Sequence, residues 1–288
     1  MQNGITGIDH PVIAVRDMTA ARKTFERLGF TVPPRGSHIE WGTGNWAIMF
    51  RDDYLELRGI IEPARPTHGT GRFLETREGL MGVALGTVGA AESHDLVAKS
   101  GFHPKPVTTL TRNFELPEGW AKPRFALCFL DETEVPPGLM SVVFCEHLTP
   151  ELIRRPEFLR HANGATGVHS MTGVVPDLAA AAAANRRLFG DEAVREANGQ
   201  VLIDAGRGAT IRLIRPQDLA TVHGGVAFDK TIEPPYLAAV TIAVDRIAST
   251  AKVLDNAGVR DVRPQKSTIR VAPQDACGAI LEFVDAGA

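Results

Sequence analysis

Cysteine is scarce in this sequence: three residues in 288, at positions 128, 145 and 277, with no CxxC pair. An odd count without paired spacing argues against a disulfide framework and fits reduced thiols in a cytoplasmic protein. Cys128, in Ala126-Leu127-Cys128-Phe129-Leu130, and Cys145, after Val143-Phe144, sit in apolar strands, where packing explains them better than catalysis. Strong charge of either sign is also missing. The net charge is −3 and the pI about 6.3, which argues against a nucleic-acid binder. No charged block points to an anionic membrane surface. No apolar run reaches the length of a membrane span. Met1-Gln2-Asn3-Gly4 carries no basic region followed by an apolar stretch, so no signal peptide is expected. Motifs are missing too. Without GxSxG, HExxH, a phosphate loop or a dinucleotide glycine fingerprint, serine hydrolysis and nucleotide binding have no support.

What is present is repetition. A hydrophobic content of 44% supports a substantial core, and 288 residues suffice for one large domain or two ordinary ones. Residues 7–61 read as strand, helix, then three strands. The strand at 8–15 leads to a helix that Asp17 caps and Gly29 stops. Phe30–Val32, Trp46–Phe50 and Tyr54–Ile60 follow. The order returns near 165, with Val175-Pro176-Asp177-Leu178 matching Val15-Arg16-Asp17-Met18 and Gly190 ending the helix. Residues 236–286 repeat it, with Leu281-Glu282-Phe283 matching Leu55-Glu56-Leu57. A looser copy occupies 80–148, its helix closed by Gly101-Phe102 as Gly29-Phe30 closes the first. Pro- and Gly-punctuated residues 149–165 read as a linker, and 217–235 join the last two units.

Two stretches of the first unit carry polar residues on apolar strands. In Ile8–Val15, His10, Val12 and Ala14 share a face; in Tyr54–Arg58, Tyr54, Glu56 and Arg58 do. A histidine and a glutamate aimed from paired strands can contribute to a divalent-metal site. Their plain alternatives are a backbone-bonded histidine and a salt bridge from Glu56 to Arg58. A buried glutamate is costly unless it is paired or ligated.

Four βαβββ units bearing Gly7-Ile8-Asp9-His10, Val15-Arg16-Asp17, Arg35-Gly36-Ser37-His38, Gly42-Thr43-Gly44-Asn45 and Tyr54-Leu55-Glu56-Leu57 resemble the vicinal oxygen chelate superfamily, in its glyoxalase-like branch. The resemblance implies an α+β fold in which paired units form two cup-shaped sheets. It divides the chain into an N-terminal domain at 1–148 with the active site, a linker at 149–165, and a C-terminal domain at 166–288. It also implies a metal held by first- and fourth-strand residues. His10 and Glu56 take those positions in the first unit. In the second, Gly82 cannot ligate, and Glu146 or His147 takes the fourth-strand position, since a one-residue slip exchanges them. In the second pair, Ser170, Arg212, Ala239 and Glu282 make a poor set, and Glu282 reads as the partner of Arg212. The departure at Ser170 and Ala239 disfavours an extradiol-type dioxygenase.

The implied function is a metal-dependent lyase or isomerase of the glyoxalase type. It would act on a small carbonyl or hydroxy substrate through an enolate or oxyanion. The metal would be Zn, Mn, Fe, Co or Ni, held by His10, Glu56 and Glu146 or His147. His38 and Glu56 would move protons; Asn45, Trp46 and Tyr54 would contact substrate. Otherwise His38 and Asn45 belong to a turn and the aromatics to a core. The alternative function is a metal-free binding protein of the bleomycin-resistance type. A homodimer is compatible with either reading.

Overall fold

The computed structural model describes residues 2–259 and 267–287; residues 260–266, in the fourth unit, lie outside the description. The first unit comprises β1 (Ile5–Ala14), α1 (Met18–Arg27), β2 (Gly36–His38), β3 (Thr43–Met49) and β4 (Tyr54–Ile60). A short α2 (Thr70–Thr76) leads to the second: β5 (Gly79–Thr87), α3 (Ala90–Lys99), β6 (Thr108–Leu116), β7 (Gly119–Ala121), β8 (Arg124–Phe129) and β9 (Val142–His147). The third comprises β10 (Ala165–Val174), α4 (Leu178–Phe189), β11 (Val194–Ala197), β12 (Gln200–Gly206) and β13 (Ala209–Ile214). After α5 (Leu219–Val222), the fourth has β14 (Tyr236–Val244), α6 (Ile247–Asn256), β15 (Thr268–Val271) and β16 (Ile280–Asp285).

Local chemistry sets the helix ends. The Asp17 carboxylate accepts the Ala20 N–H at 2.9 Å, and Asp177 accepts those of Ala179 and Ala180, satisfying donors a first turn leaves open. Past each long helix stands a glycine at positive φ: Gly29 (85°), Gly101 (81°), Gly190 (95°) and Gly258 (66°). That region penalises a Cβ, so these four glycines end the helices of all four units. The expected strand at Phe30–Val32 does not form. Those residues carry no ladder, and the second strand lies at Gly36–His38, where β3 and β6 offer partners. The β6–β7 hairpin is an addition that the repeat does not predict.

Two sheets result. One runs β2-β3-β4-β1-β5-β9-β8-β6-β7, and a further pairing of β2 with β6 closes it into a barrel with only β7 outside the ring. The other runs β11-β12-β13-β10-β14-β16-β15. The central antiparallel pairs match: β1 on β5 shifts register between Ile8 and His10, and β10 on β14 between Val168 and Ser170. A bulge at this point lets two successive residues, Asp9 and His10, face the same side.

One hydrophobic core serves both halves. It runs from Ile13, Phe25, Leu57 and Phe144 to Ile203, Val240 and Phe283, all essentially inaccessible to solvent. Phe30 stacks on Phe283 across the halves, ring centroids 5.9 Å apart. Gly138 and Gly173 bring backbones together: a Cβ at Gly173 would stand 2.4 Å from the Gly138 carbonyl oxygen. The 149–165 segment is tied down as well. Arg154 donates to the Arg51 and Asp52 carbonyls, and His161 bridges the Thr31 N–H and the Met49 carbonyl. Ile153 and Phe158 join the apolar lining of the first cup.

Candidate functional site

The concave face of the first barrel gathers its polar residues from nearly every strand. His10 comes from β1, and Tyr54, Glu56 and Arg58 from one face of β4, as their spacing predicts. Asn45 stands on β3 directly across from Arg58. The β2–β6 ladder that closes the barrel sets His38 opposite Arg112. Cys145 and His147 come from β9. An apolar lining that includes Trp41, Met49, Phe114, Phe125 and Leu127 surrounds them.

At the centre is a chain of hydrogen bonds. His10 Nδ1 lies 2.7 Å from Asp9 Oδ1, and its Nε2 lies 3.4 Å from Glu56 Oε2 and 3.3 Å from the Tyr54 hydroxyl. The Tyr54 ring stacks on the imidazole at 4.1 Å. Glu56 is 1% exposed and fully engaged. Asn45 Nδ2 donates to its Oε1 and Arg58 Nη2 to its Oε2, each at 2.6 Å. His38 Nδ1 meets the Thr43 hydroxyl at 2.7 Å, and its Nε2 stands 3.9 Å from Glu56. His147 Nε2 lies 2.9 Å from Asp9 Oδ2.

Burial and neighbours set the charges. Burial opposes an ionised Glu56, but Arg58 and His10 outweigh it and hold the carboxyl well below its usual range. Asp9 is held low in the same way by His147 and His10, against burial. Burial works against a charged His10 too, yet its hydrogen bonds to Asp9 and Glu56 raise it overall. His38 goes the other way: burial, with Arg58 and Arg112 nearby, brings it down to about 3 despite Glu56, so it stays neutral. Burial pushes the Cys145 thiol well up, and the charges of Asp9 and Glu56 add to this.

Arg112 is 2% exposed. No carboxylate pairs with it among the described residues. Its guanidinium lies over the rings of Phe114 and Phe125, at 5.7 and 5.3 Å, and its Nε is buried without a partner. A buried cation in that state is costly, and an oxygen anion from outside the chain would offset the cost.

Several expectations need correcting. Glu146 does not enter the cup. Alternation along β9 turns it outward, where its carboxylate accepts the Ala90 N–H at 2.9 Å and caps α3, as a carboxylate at a helix N-terminus does. Nor does Glu146 or His147 hold the fourth-strand position of the second unit. In the first unit Val12 pairs with Glu56; the matching residue, Ala84, pairs with Val143. Trp46 faces away from the cup, because it pairs with Leu57 while Ala47 pairs with Glu56. Its indole N–H donates to the Met18 carbonyl. Glu282, in the second sheet, pairs with Arg270 at 2.6 Å and His223 at 3.0 Å rather than with Arg212, since β15 lies beside β16 and brings Arg270 opposite Glu282.

The residues the family positions offer a metal are therefore His10, Glu56, Gly82 and Val143, two donors in all. Both Glu56 oxygens are already bonded, one of them to a guanidinium. That set does not fit a metal ion. Asp9, Arg112 and Cys145 went unread in the sequence as members of the site. The only local signal was the Asp9-His10 pair, and it becomes a two-residue contribution only through the bulge.

A family model described as a glyoxalase-like domain matches residues 8–189. No curated protein sequence matches the chain. Among solved structures, a hypothetical protein from Staphylococcus aureus is similar over 96% of this chain and 98% of its own, with a TM-score of 0.67 at 12% identity. A mutant of 4-hydroxymandelate synthase from Streptomyces coelicolor is similar over 97% and 92%, TM-score 0.59, 13% identity. A fusion protein of a xylose isomerase-like TIM barrel with 4-hydroxyphenylpyruvate dioxygenase is similar over 97% of this chain and 48% of its own, TM-score 0.58, 13% identity. At these identities the likeness is one of fold.

Proposed function

Because this chain belongs to the glyoxalase-like domain family, we propose that its first cup is an enzyme site that moves a proton on a small acid bearing a carbonyl or hydroxyl group, by lyase or isomerase chemistry. The observation that carries this reading is the pairing of a buried acid–base couple, His10 and Glu56, with a buried guanidinium, Arg112, that lacks a carboxylate. Arg112 would receive the carboxylate or the developing oxyanion of the substrate.

Each residue then has a task. Arg58 and Asn45 fix Glu56 and keep it ionised, so it is available as a proton acceptor at neutral pH. A carboxylate of such low basicity takes a proton only from an acidified C–H. A cation placed against the carbonyl oxygen supplies that acidity, in a site with an apolar lining. His10, with Nε2 turned to Glu56 and Tyr54 and Nδ1 fixed by Asp9, is placed to return a proton. His38 stays neutral and positions rather than titrates. A metal at the family positions is not part of this scheme, since His10 and Glu56 alone do not make that site.

Deuterium exchange tests the reading. A panel of small 2-oxo and 2-hydroxy acids in D2O, followed by proton NMR, should show loss of a C–H signal with the wild-type protein. Glu56→Gln should slow that exchange about 10²- to 10⁴-fold. Binding of an acid without exchange would point instead to a binding protein of the drug-sequestering type. Neither binding nor exchange by a folded protein would refute both.

A further inference from the structure

We propose that the first cup carries a divalent transition-metal site built from Asp9, His10 and Cys145, which shares His10 with the strand positions that the repeat would use but not Glu56. One donor atom from each of Asp9, His10 and Cys145 lies within 4.8 Å of the other two, and all three residues are buried. His147, whose side chain is 10% exposed, stands outside this donor group and holds Asp9, its Nε2 2.9 Å from Asp9 Oδ2.

The site is a product of the backbone. Strict alternation on β1 would turn either Asp9 or His10 away from the cup; the register shift between Ile8 and His10 lets both face in. The same shift in β10 presents His169 and Ser170, so the bulge belongs to the architecture and only the first copy fills it with a carboxylate and an imidazole. On β9, Cys145 and His147 are two residues apart and share the inward face, while Glu146 is turned out to α3.

Charge balance admits an ion at this point. Asp9 is 3% exposed, and the nearest permanent cation is the Arg154 guanidinium at 3.9 Å. Arg58 is committed to Glu56. A buried carboxylate so placed needs a protonated imidazole or a metal beside it. A divalent ion would replace the proton on His10 Nδ1 and the thiol proton of Cys145, releasing both to solvent. With Asp9 and a thiolate as ligands, the pair of charges is matched. The His10 Nε2–H would remain on Glu56, 3.4 Å away, which is the carboxylate–histidine arrangement that orients a metal-bound imidazole. His147 Nδ1 is buried without a partner, so the Asp9 side alone gives its ring a polar contact.

One thiol, one imidazole and one carboxylate, with a fourth position left for solvent or substrate, suit zinc or cobalt and disfavour magnesium or calcium, which take oxygen ligands. Bonds of about 2.0–2.3 Å to a common ion require donor separations of roughly 3.3–3.8 Å. The present 2.7 Å between Asp9 and His10 Nδ1 would open on loading.

The test reads the metal without any substrate, so its failure is separate from failure of the proton-transfer reading. Full-length protein is stripped with a chelator, reloaded with Co²⁺ and followed by visible and near-ultraviolet absorption, with the bound metal counted by mass spectrometry. One equivalent with a thiolate-to-cobalt charge-transfer band is expected. Cys145→Ser should abolish the band and weaken Co²⁺ binding by at least tenfold, and Asp9→Asn should weaken it comparably. Glu56→Gln should keep the band, with affinity lowered about 10- to 100-fold. Two results would overturn the proposal. One is a folded wild-type protein that binds no Co²⁺. The other is Co²⁺ bound without a thiolate band, unaffected by Cys145→Ser and lost in Glu56→Gln, which would return the ion to the family positions. Because the band is read first on the wild type, a variant that fails to fold does not decide the question.

Discussion

Arg112 shows how a single residue can be both a cost and a function. Its guanidinium sits against two aromatic rings and near His38, Tyr54 and Cys145, whose ionisation it influences. Replacing a buried unpaired cation by an apolar side chain of similar length removes a desolvation cost. Arg112→Met should therefore leave the urea midpoint unchanged or raise it, while weakening binding of small carboxylates by about 10- to 100-fold, the worth of one charge-assisted hydrogen bond; calorimetric titration and urea denaturation of one preparation check both halves. Asp53 is a second buried ionisable residue, and its proton is tied to stability. Burial, with Asp9 and Asp52 nearby, raises its pKa from 3.8 to about 7, although it accepts the Val168 N–H and lies near Arg154. The folded chain therefore binds this proton more tightly than the unfolded chain. The stability so gained is complete below about pH 4 and is lost as pH rises through 7. Asp53→Asn keeps the acceptor for Val168 and removes the titration. It should match the wild type at about pH 3.5 and exceed it at pH 8 by on the order of 4 kcal/mol, measured by urea denaturation at both pH values.

At the scale of the element, β9 is decisive. Its alternation sends Cys145 and His147 into the cup and Glu146 out to the first turn of α3, where Gly89 at the N-cap has no side chain to offer. Glu146→Ala should cost about 0.5–2 kcal/mol, as loss of a helix cap does, and should leave Co²⁺ stoichiometry and the thiolate band as in the wild type. Loss of metal in this variant would mean that the strand faces have been assigned the wrong way round. β1 is the complementary case. Its bulge gives up one ladder pairing and gains a second inward side chain, and β10 makes the same exchange with His169 and Ser170.

For the whole molecule, the shared core matters more than the boundary between halves. Phe30 and Phe283 stack across it, Gly138 lies against Gly173, and the 149–165 segment contributes Ile153 and Phe158 to the first cup. The family model likewise runs through β9 and β10 to the end of α4, at residue 189. Phe283→Ala removes a fully buried ring from this joint core and should cost about 3–5 kcal/mol. The loss should appear as a shift of one cooperative transition. Two transitions by scanning calorimetry, with only the later-sequence half destabilised, would show that the halves unfold independently.

Much of this was present in the order of residues. Helix starts and stops are local, so Asp17 and the glycines Gly29, Gly101 and Gly190 marked the repeat directly, and the resemblance built on that repeat implied the α+β fold. The faces of β1 and β4 were also legible, because alternation needs no partner: His10, Tyr54, Glu56 and Arg58 meet as their spacing says. Whatever depended on register between distant strands was not. The β2–β6 ladder closes the barrel and sets Arg112 opposite His38, across more than seventy residues of chain. The β5–β9 register puts Val143 where a ligand was expected. A bulge, which costs one residue of pairing and leaves no mark on composition, turned Asp9 inward beside His10. Sequence determined which side chains each strand could present to the cup. Tertiary structure decided which of them meet, because a pairing register is fixed by the burial of both strands together and is written in neither alone.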